Sequence, residues 1–157
     1  MSRRETCLQN IKLALERIQG SPGYTYDLSP AQVQRYIHRC VGGEEVTNSF
    51  ADFPGIIIRQ LSATDVTETL DLWTVTLDVQ IAFYLRGNAD DDDINAALAD
   101  MKRALFLAPW DGFGVGAKLV TLTDSLVDAE TGQPLDGIYL NMELQFMEQF
   151  GDPSLGE

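Results

Sequence analysis

The stretch Trp73-Thr74-Val75-Thr76-Leu77-Asp78-Val79-Gln80-Ile81-Ala82-Phe83-Tyr84-Leu85 decides the fold. Every odd position from Trp73 to Leu85 is large and apolar, and the positions between are mostly polar. Strict period two over this length makes a long strand with one face in a core. An antiparallel sheet covered on one face explains such alternation; a parallel sheet buried on both faces does not. The pattern returns at Ile138, Leu140, Met142, Leu144 and Phe146, alternating with Tyr139, Asn141, Glu143 and Gln145.

Shorter strands flank these two. Ala51-Asp52-Phe53-Pro54 leads into Gly55-Ile56-Ile57-Ile58-Arg59-Gln60-Leu61, a β-branched run entering a sheet with its proline where a missing N–H is tolerated. Residues 62–70 are polar and rich in Thr, Asp and Glu, which predicts an exposed connection. Residues 118–128 read as another strand, and residues 129–134 as a turn.

Helical spacing appears twice. Leu8, Ile11, Ala14, Leu15 and Ile18 form an apolar stripe over residues 4–19, closed by Gly20 and Pro22. Ile94, Ala97, Leu98, Met101, Ala104 and Leu105 form a second, opened by Asp90-Asp91-Asp92-Asp93 and ended by Lys102, Arg103 and Pro109, an arrangement that suits the helix macrodipole. Residues 21–50 are irregular or inserted: Tyr24–Tyr26 and Val33–Val41 fit short strands interrupted by Pro30 and Gly42-Gly43, or Val33, Tyr36 and Ile37 one side of a helical turn. The expected fold is α+β, a mainly antiparallel sheet with two amphipathic helices packed on one face. Residues 1–148 form one such domain and residues 149–157 a flexible tail.

The chain has 157 residues and a formal charge of −13. Residues 1–60 carry a net +1 and residues 61–157 a net −14. Bulk acidity argues against gripping nucleic acid or an anionic membrane. Cys7 and Cys40 are too few for a disulfide framework, and Cys7 lies on an apolar helix face. Met1-Ser2-Arg3-Arg4-Glu5 runs straight into an amphipathic pattern rather than a signal peptide, so a reducing cytoplasm is expected.

Candidate chemistry is sparse. From Asp90, a calcium loop needs glycine at its sixth position and glutamate at its twelfth; Asn95 and Met101 stand there, so helix capping explains the acids. His38 and Cys40 would share one face of a strand, with no further catalytic partner at a suggestive spacing. Gly112-Phe113-Gly114-Val115-Gly116 lies between helix and strand, the reverse of a dinucleotide fingerprint, and reads as a flexible surface loop. No G-x-S-x-G or H-E-x-x-H occurs. No enzyme, cofactor or metal site is expected.

The order of elements carries a resemblance. An amphipathic helix precedes the Asp52-Phe53-Pro54 lead-in and its apolar strand. A polar loop and the Trp-led strand Asp71-Leu72-Trp73-Thr74-Val75 follow. An Asp-initiated helix, an acidic glycine-bearing loop and a strand ending Glu143-Leu144-Gln145-Phe146 complete the series. Over residues 4–148 this resembles the tail terminator (tail completion, or minor tail) proteins of long-tailed bacteriophages. The resemblance implies a structural, non-enzymatic virion protein whose hexameric ring sits at the neck-proximal end of the tail. That ring stops tail tube polymerisation and offers the head-joining surface. Its partners would be its own copies, the tail tube protein and a head–tail connector or stopper protein. DNA would pass through without specific binding, no membrane would be involved, and assembly would occur in the host cytoplasm. Segment 21–50 and the tail depart from the family. A connector, a stopper or a tail tube subunit shares the same ring-and-sheet logic, and a monomeric binding module or unrecognised enzyme is a third possibility.

Interface candidates are the loops 62–70, 109–116 and 129–136, with Trp110 and Phe113 as aromatic anchors and Arg59 and Arg86 at strand ends. Either aromatic would equally serve to cover the core, and either arginine to solvate the surface. Channel-facing acids are sought among Asp90, Asp91, Asp92, Asp93, Asp124 and Asp128, where an acidic lining would keep passing DNA from sticking.

Overall fold

A computed structural model describes residues 2–20, 22–50, 53–69, 71–86, 89–127, 135–149, 151–152 and 154, apart from the side chains of Arg86 and Leu135. The element order is α1 (Arg3–Leu15), β1 (Val33–Arg35), β2 (His38–Val41), β3 (Glu44–Thr47), β4 (Gly55–Thr67), β5 (Leu72–Arg86), α2 (Asp91–Leu105), β6 (Lys118–Leu126) and β7 (Leu135–Gln149). Five strands form one sheet in the order β1-β4-β5-β7-β6, and β2 pairs with β3 in a separate hairpin. Every pairing is antiparallel except β1 with β4. The fold is the expected α+β arrangement, with both helices packed into one core with the sheet.

The two alternating stretches are the sheet's centre. β5 and β7 pair along their full length, from Leu72↔Gln149 to Arg86↔Leu135. Val75, Leu77, Val79, Ile81, Phe83 and Leu85 of β5 face Leu144, Met142, Leu140 and Ile138 of β7 across one buried surface. Cys7, Leu8, Ile11 and Leu15 of α1 and Ala97, Met101, Ala104 and Leu105 of α2 close that surface. Burying a Leu- or Ile-sized side chain is worth about 1.5–3 kcal/mol, so this one-sided layer holds the domain together.

Three boundaries differ from expectation. α1 ends at Leu15, because Arg17 and Ile18 donate to Ala14 and Leu15 in tightened three-residue turns that still bury Ile18. Residues 62–67 are strand, not connection: β4 continues because β5 offers ladder partners as far as Thr67↔Trp73. An extra residue at Leu61 exchanges its faces there, so that Ala63 joins the covered side. β7 runs to Gln149, one residue into the expected tail, and Asp152 bridges back to it.

The irregular segment resolves into short pieces. Ser29 and Gln32 bracket a 3-10 turn at Pro30–Gln32, after which β1 lies parallel to β4. Gly42 and Gly43, at φ of 60° and 83°, make the two-residue turn between β2 and β3; two positive φ values in succession suit glycine best.

The glycine-rich segment is packed, which corrects the reading of a flexible loop. Gly112, Phe113 and Val115 are buried against α1. Asn10 Nδ2 donates to the Phe113 carbonyl (2.9 Å), Arg3 to that of Val115, and Ala117 N–H to that of Gly112. A Cβ at Gly112 would meet the Ala117 backbone nitrogen at 2.2 Å, so only glycine closes this turn.

Candidate functional site

The largest uncommitted features are the two edges of the five-stranded sheet. β1 covers only Ile56, Ile57 and Ile58 of β4; from residue 59 to 67 no strand among the described residues pairs with its outer side. β6 pairs with β7, and among the described residues no strand pairs with its other side. Each edge strand carries a register shift, at Leu61 in β4 and at Val120 in β6. Monomeric proteins blunt such edges with charged residues and bulges. Here the bulges present apolar side chains: Leu61 is 49% exposed and Val120 40%, with Val66 at 51% and Leu126 at 65% farther along.

Strand direction makes these edges complementary. Successive antiparallel pairings from β4 through β5 and β7 leave β6 running opposite to β4. A second copy rotated about an axis along the strands would therefore set its β6 antiparallel to β4, the more stable pairing. The same rotation keeps the helices of every copy on the same side. Such a contact would be heterologous and would need no two-fold axis.

No protein-family model matches this chain, and no curated protein matches it.

The expected interface aromatics part company. Phe113 is 3% exposed and holds a left-handed φ of 56°; it is a core residue, so it offers no surface anchor. Trp110 stays partly exposed, edge-on to Phe106 (5.4 Å) and Phe113 (5.6 Å), and borders a shallow cleft with the exposed Leu13 and Leu107. Arg59, expected at a strand end, lies inside β4 opposite Gln80 on the helix-free face, because the strand continues along β5 to Thr67. Arg86 ends β5, with its side chain outside the description.

Asp90 caps α2 by accepting from Asp93 N–H (2.9 Å), and Asp93 returns the bond to Asp90 N–H (3.1 Å), so capping is the structural role of this pair. Asp91 and Asp92 remain exposed. Ala89 N–H beside them donates to Asp136 at the start of β7, and Asp124 lies on β6 opposite Leu140, toward the same end of the sheet. Asp128 falls outside the described residues, as do residues 129–134. Among the described residues, no three His, Cys, Asp or Glu side chains gather as a metal site would require. His38 Nε2 meets Glu45 Oε1 on the exposed hairpin, and Cys40 is exposed there. No helix among the described residues is long and apolar enough to cross a membrane.

Three features escaped the pattern reading. Asp100, on the buried side of α2, accepts from Thr25 and Tyr26 N–H (2.8–3.0 Å) and ties residues 24–26 to the helix. Glu148 is buried at the end of β7; burial raises its pKa, and the positive charges of Arg4 and Arg3 oppose that rise. Asp78 and Glu143 stand directly opposite one another on the helix-free face, bonded by Ser62 Oγ (2.7 Å) and Thr121 Oγ1 (3.4 Å) from the flanking strands. Charged residues at alternate strand positions read only as solvent-facing until strand register makes them neighbours.

Proposed function

We propose that the protein is a structural subunit of a phage tail that closes into a ring through its two sheet edges, the tail terminator reading. The observation that carries it is the pair of open, oppositely directed edge strands, each bearing exposed apolar side chains. Heterologous contacts between such patches form rings when the rotation closes. The resemblance in element order supplies the six-fold number and the tail. In this reading the ring caps the tail tube, stops its growth and offers a surface to the head connector, and no step of catalysis is involved. Asp91, Asp92 and Asp124 give one end of each subunit an acidic character that would let DNA pass without retention.

Edge substitutions test the assembly. Leu126→Lys and Val66→Lys place a charge on each edge strand, near its C-terminal end, where strand pairing is then disfavoured. Light scattering and negative-stain microscopy should show hexameric rings for the wild type and monomers for either variant. Thermal stability of the monomer should change by no more than about 0.5 kcal/mol, as for other surface sites. Rings persisting in both variants would overturn the edge assignment.

A further inference from the structure

The helix-free face of the sheet holds a groove of about 220 Å³. Its floor is Ile57, Gln80 and Ala82, and one wall is the pair Tyr84 and Tyr139. The opposite wall, Tyr36, Ile37, Thr47 and Asn48, belongs to the segment that carries the hairpin. That wall is fixed in place: Asn48 Nδ2 donates to Gln34 Oε1 (3.0 Å) and to the Arg35 carbonyl (2.8 Å), while its Oδ1 accepts from Ile37 N–H (2.7 Å).

Arg59 enters this groove with its guanidinium 4.3 Å from the centre of the Tyr36 ring. Arg3 reaches the Val115 carbonyl, Arg4 Asp65, Arg17 the Ala104 carbonyl and Arg35 Glu5, while Arg103 lies over the Tyr24 ring and Arg39 stands on the exposed hairpin. Arg59 has no such acceptor among the described residues, and no acidic side chain lines the groove. Five N–H donors in a fixed fork, held over an aromatic ring, match a carboxylate in geometry as well as charge. Burial, followed by the neighbouring Tyr139, pushes the Tyr84 phenol up to about 12, so Tyr84 faces the groove as a neutral group at pH 7.

We propose that this groove receives an acidic side chain from an extended segment of a partner protein, with the carboxylate on Arg59 and its flanking apolar atoms against Tyr36, Tyr84 and Tyr139. A free small molecule fits less well, because small-molecule sites enclose most of their ligand in 300–1,000 Å³ and this groove is smaller and open. Single-stranded nucleic acid also stacks on tyrosines, but it needs a run of cations along its backbone, and Arg59 is the one cation among the described residues lining the groove, in a chain of charge −13. The proposal does not depend on ring assembly.

Calorimetric titration of the full chain with the peptide acetyl-Ala-Phe-Glu-Leu-Ala-amide tests it, beside the same peptide with Gln for Glu, sodium acetate and a dodecameric oligo-dT. The Glu peptide should bind, and the Gln peptide should bind at least tenfold more weakly, as expected for losing a charge-assisted pair. Arg59→Gln should weaken the Glu peptide by the same factor, Arg59→Lys by less, and Arg39→Gln, on the neighbouring hairpin, by less than twofold. Equal binding of the Glu and Gln peptides, no binding at millimolar concentration, or an equal loss in Arg39→Gln would overturn the proposal. So would acetate matching the peptide, or oligo-dT binding more tightly in an Arg59-dependent way.

Discussion

Asp100 shows how one side chain can set a whole segment. Its carboxylate takes N–H groups from Thr25 and Tyr26, and it is only 3% exposed. Bonds to a charged group are worth about 1.5–3 kcal/mol each, and a buried donor left unpaired forfeits that and its hydration. Asp100→Ala should therefore destabilise the domain by about 3 kcal/mol in urea unfolding, and Asp100→Asn, which keeps one acceptor oxygen, by about half as much. A loss below about 1 kcal/mol in the alanine variant would mean that residues 24–26 are held some other way. The sequence marks Asp100 only as a polar residue within a helix, because its partners lie some 75 positions away. Cys7 was legible by contrast: its place on the apolar stripe predicts burial, and burial pushes its thiol up to about 12. Phe113 was not, since a glycine-flanked aromatic reads as a loop until the Asn10 and Arg3 bonds bring the turn onto α1.

Among the elements, period two identified β5 and β7, and period 3.6 both helices, because each has one face against a single core. β4 was legible only as far as its apolar half. Beyond Gln60 its side chains are mostly exposed, so no hydrophobic pattern marks it, and it is a strand because β5 pairs with it. The β2–β3 hairpin carried a local signal, Gly42-Gly43 between two polar runs, with too little burial to strengthen it. Pairing also creates a cost that neither strand shows alone. Asp78 and Glu143 are direct cross-strand neighbours, and like charges so placed destabilise a sheet by roughly 0.2–1 kcal/mol. Asp78→Asn keeps an acceptor for Ser62 Oγ and removes the repulsion. It should raise the melting temperature by about 1–3 °C at low salt, with the gain shrinking in 1 M NaCl as the charges are screened. A lower melting temperature at both salt concentrations would show that the carboxylate is stabilised by groups other than Ser62.

For the molecule as a whole, the charge of −13 takes on a direction. Asp90–93, Asp124 and Asp136 lie toward the end of the sheet where β5 and β6 finish and β7 begins, while at the other end Arg3, Arg4 and Lys118 are mixed with Asp65, Glu68 and Glu148. The helix-free face between them bears both signs, with Arg59 and Lys118 beside Asp78 and Glu143. The edges run along this axis, so closing them into a ring would gather the acidic ends of all copies at one rim. Under the proposed terminator role, such a ring would meet a tail tube on one side and a head connector on the other. The proposed terminator role is tested most directly by electron microscopy of a tail tube protein polymerising with and without this chain. The account predicts short tubes carrying one ring at a single end, with mean length falling as the chain is added, and no such effect from Leu126→Lys. Tubes of unchanged length with bare ends, at a concentration where the chain is folded and in excess, would contradict it.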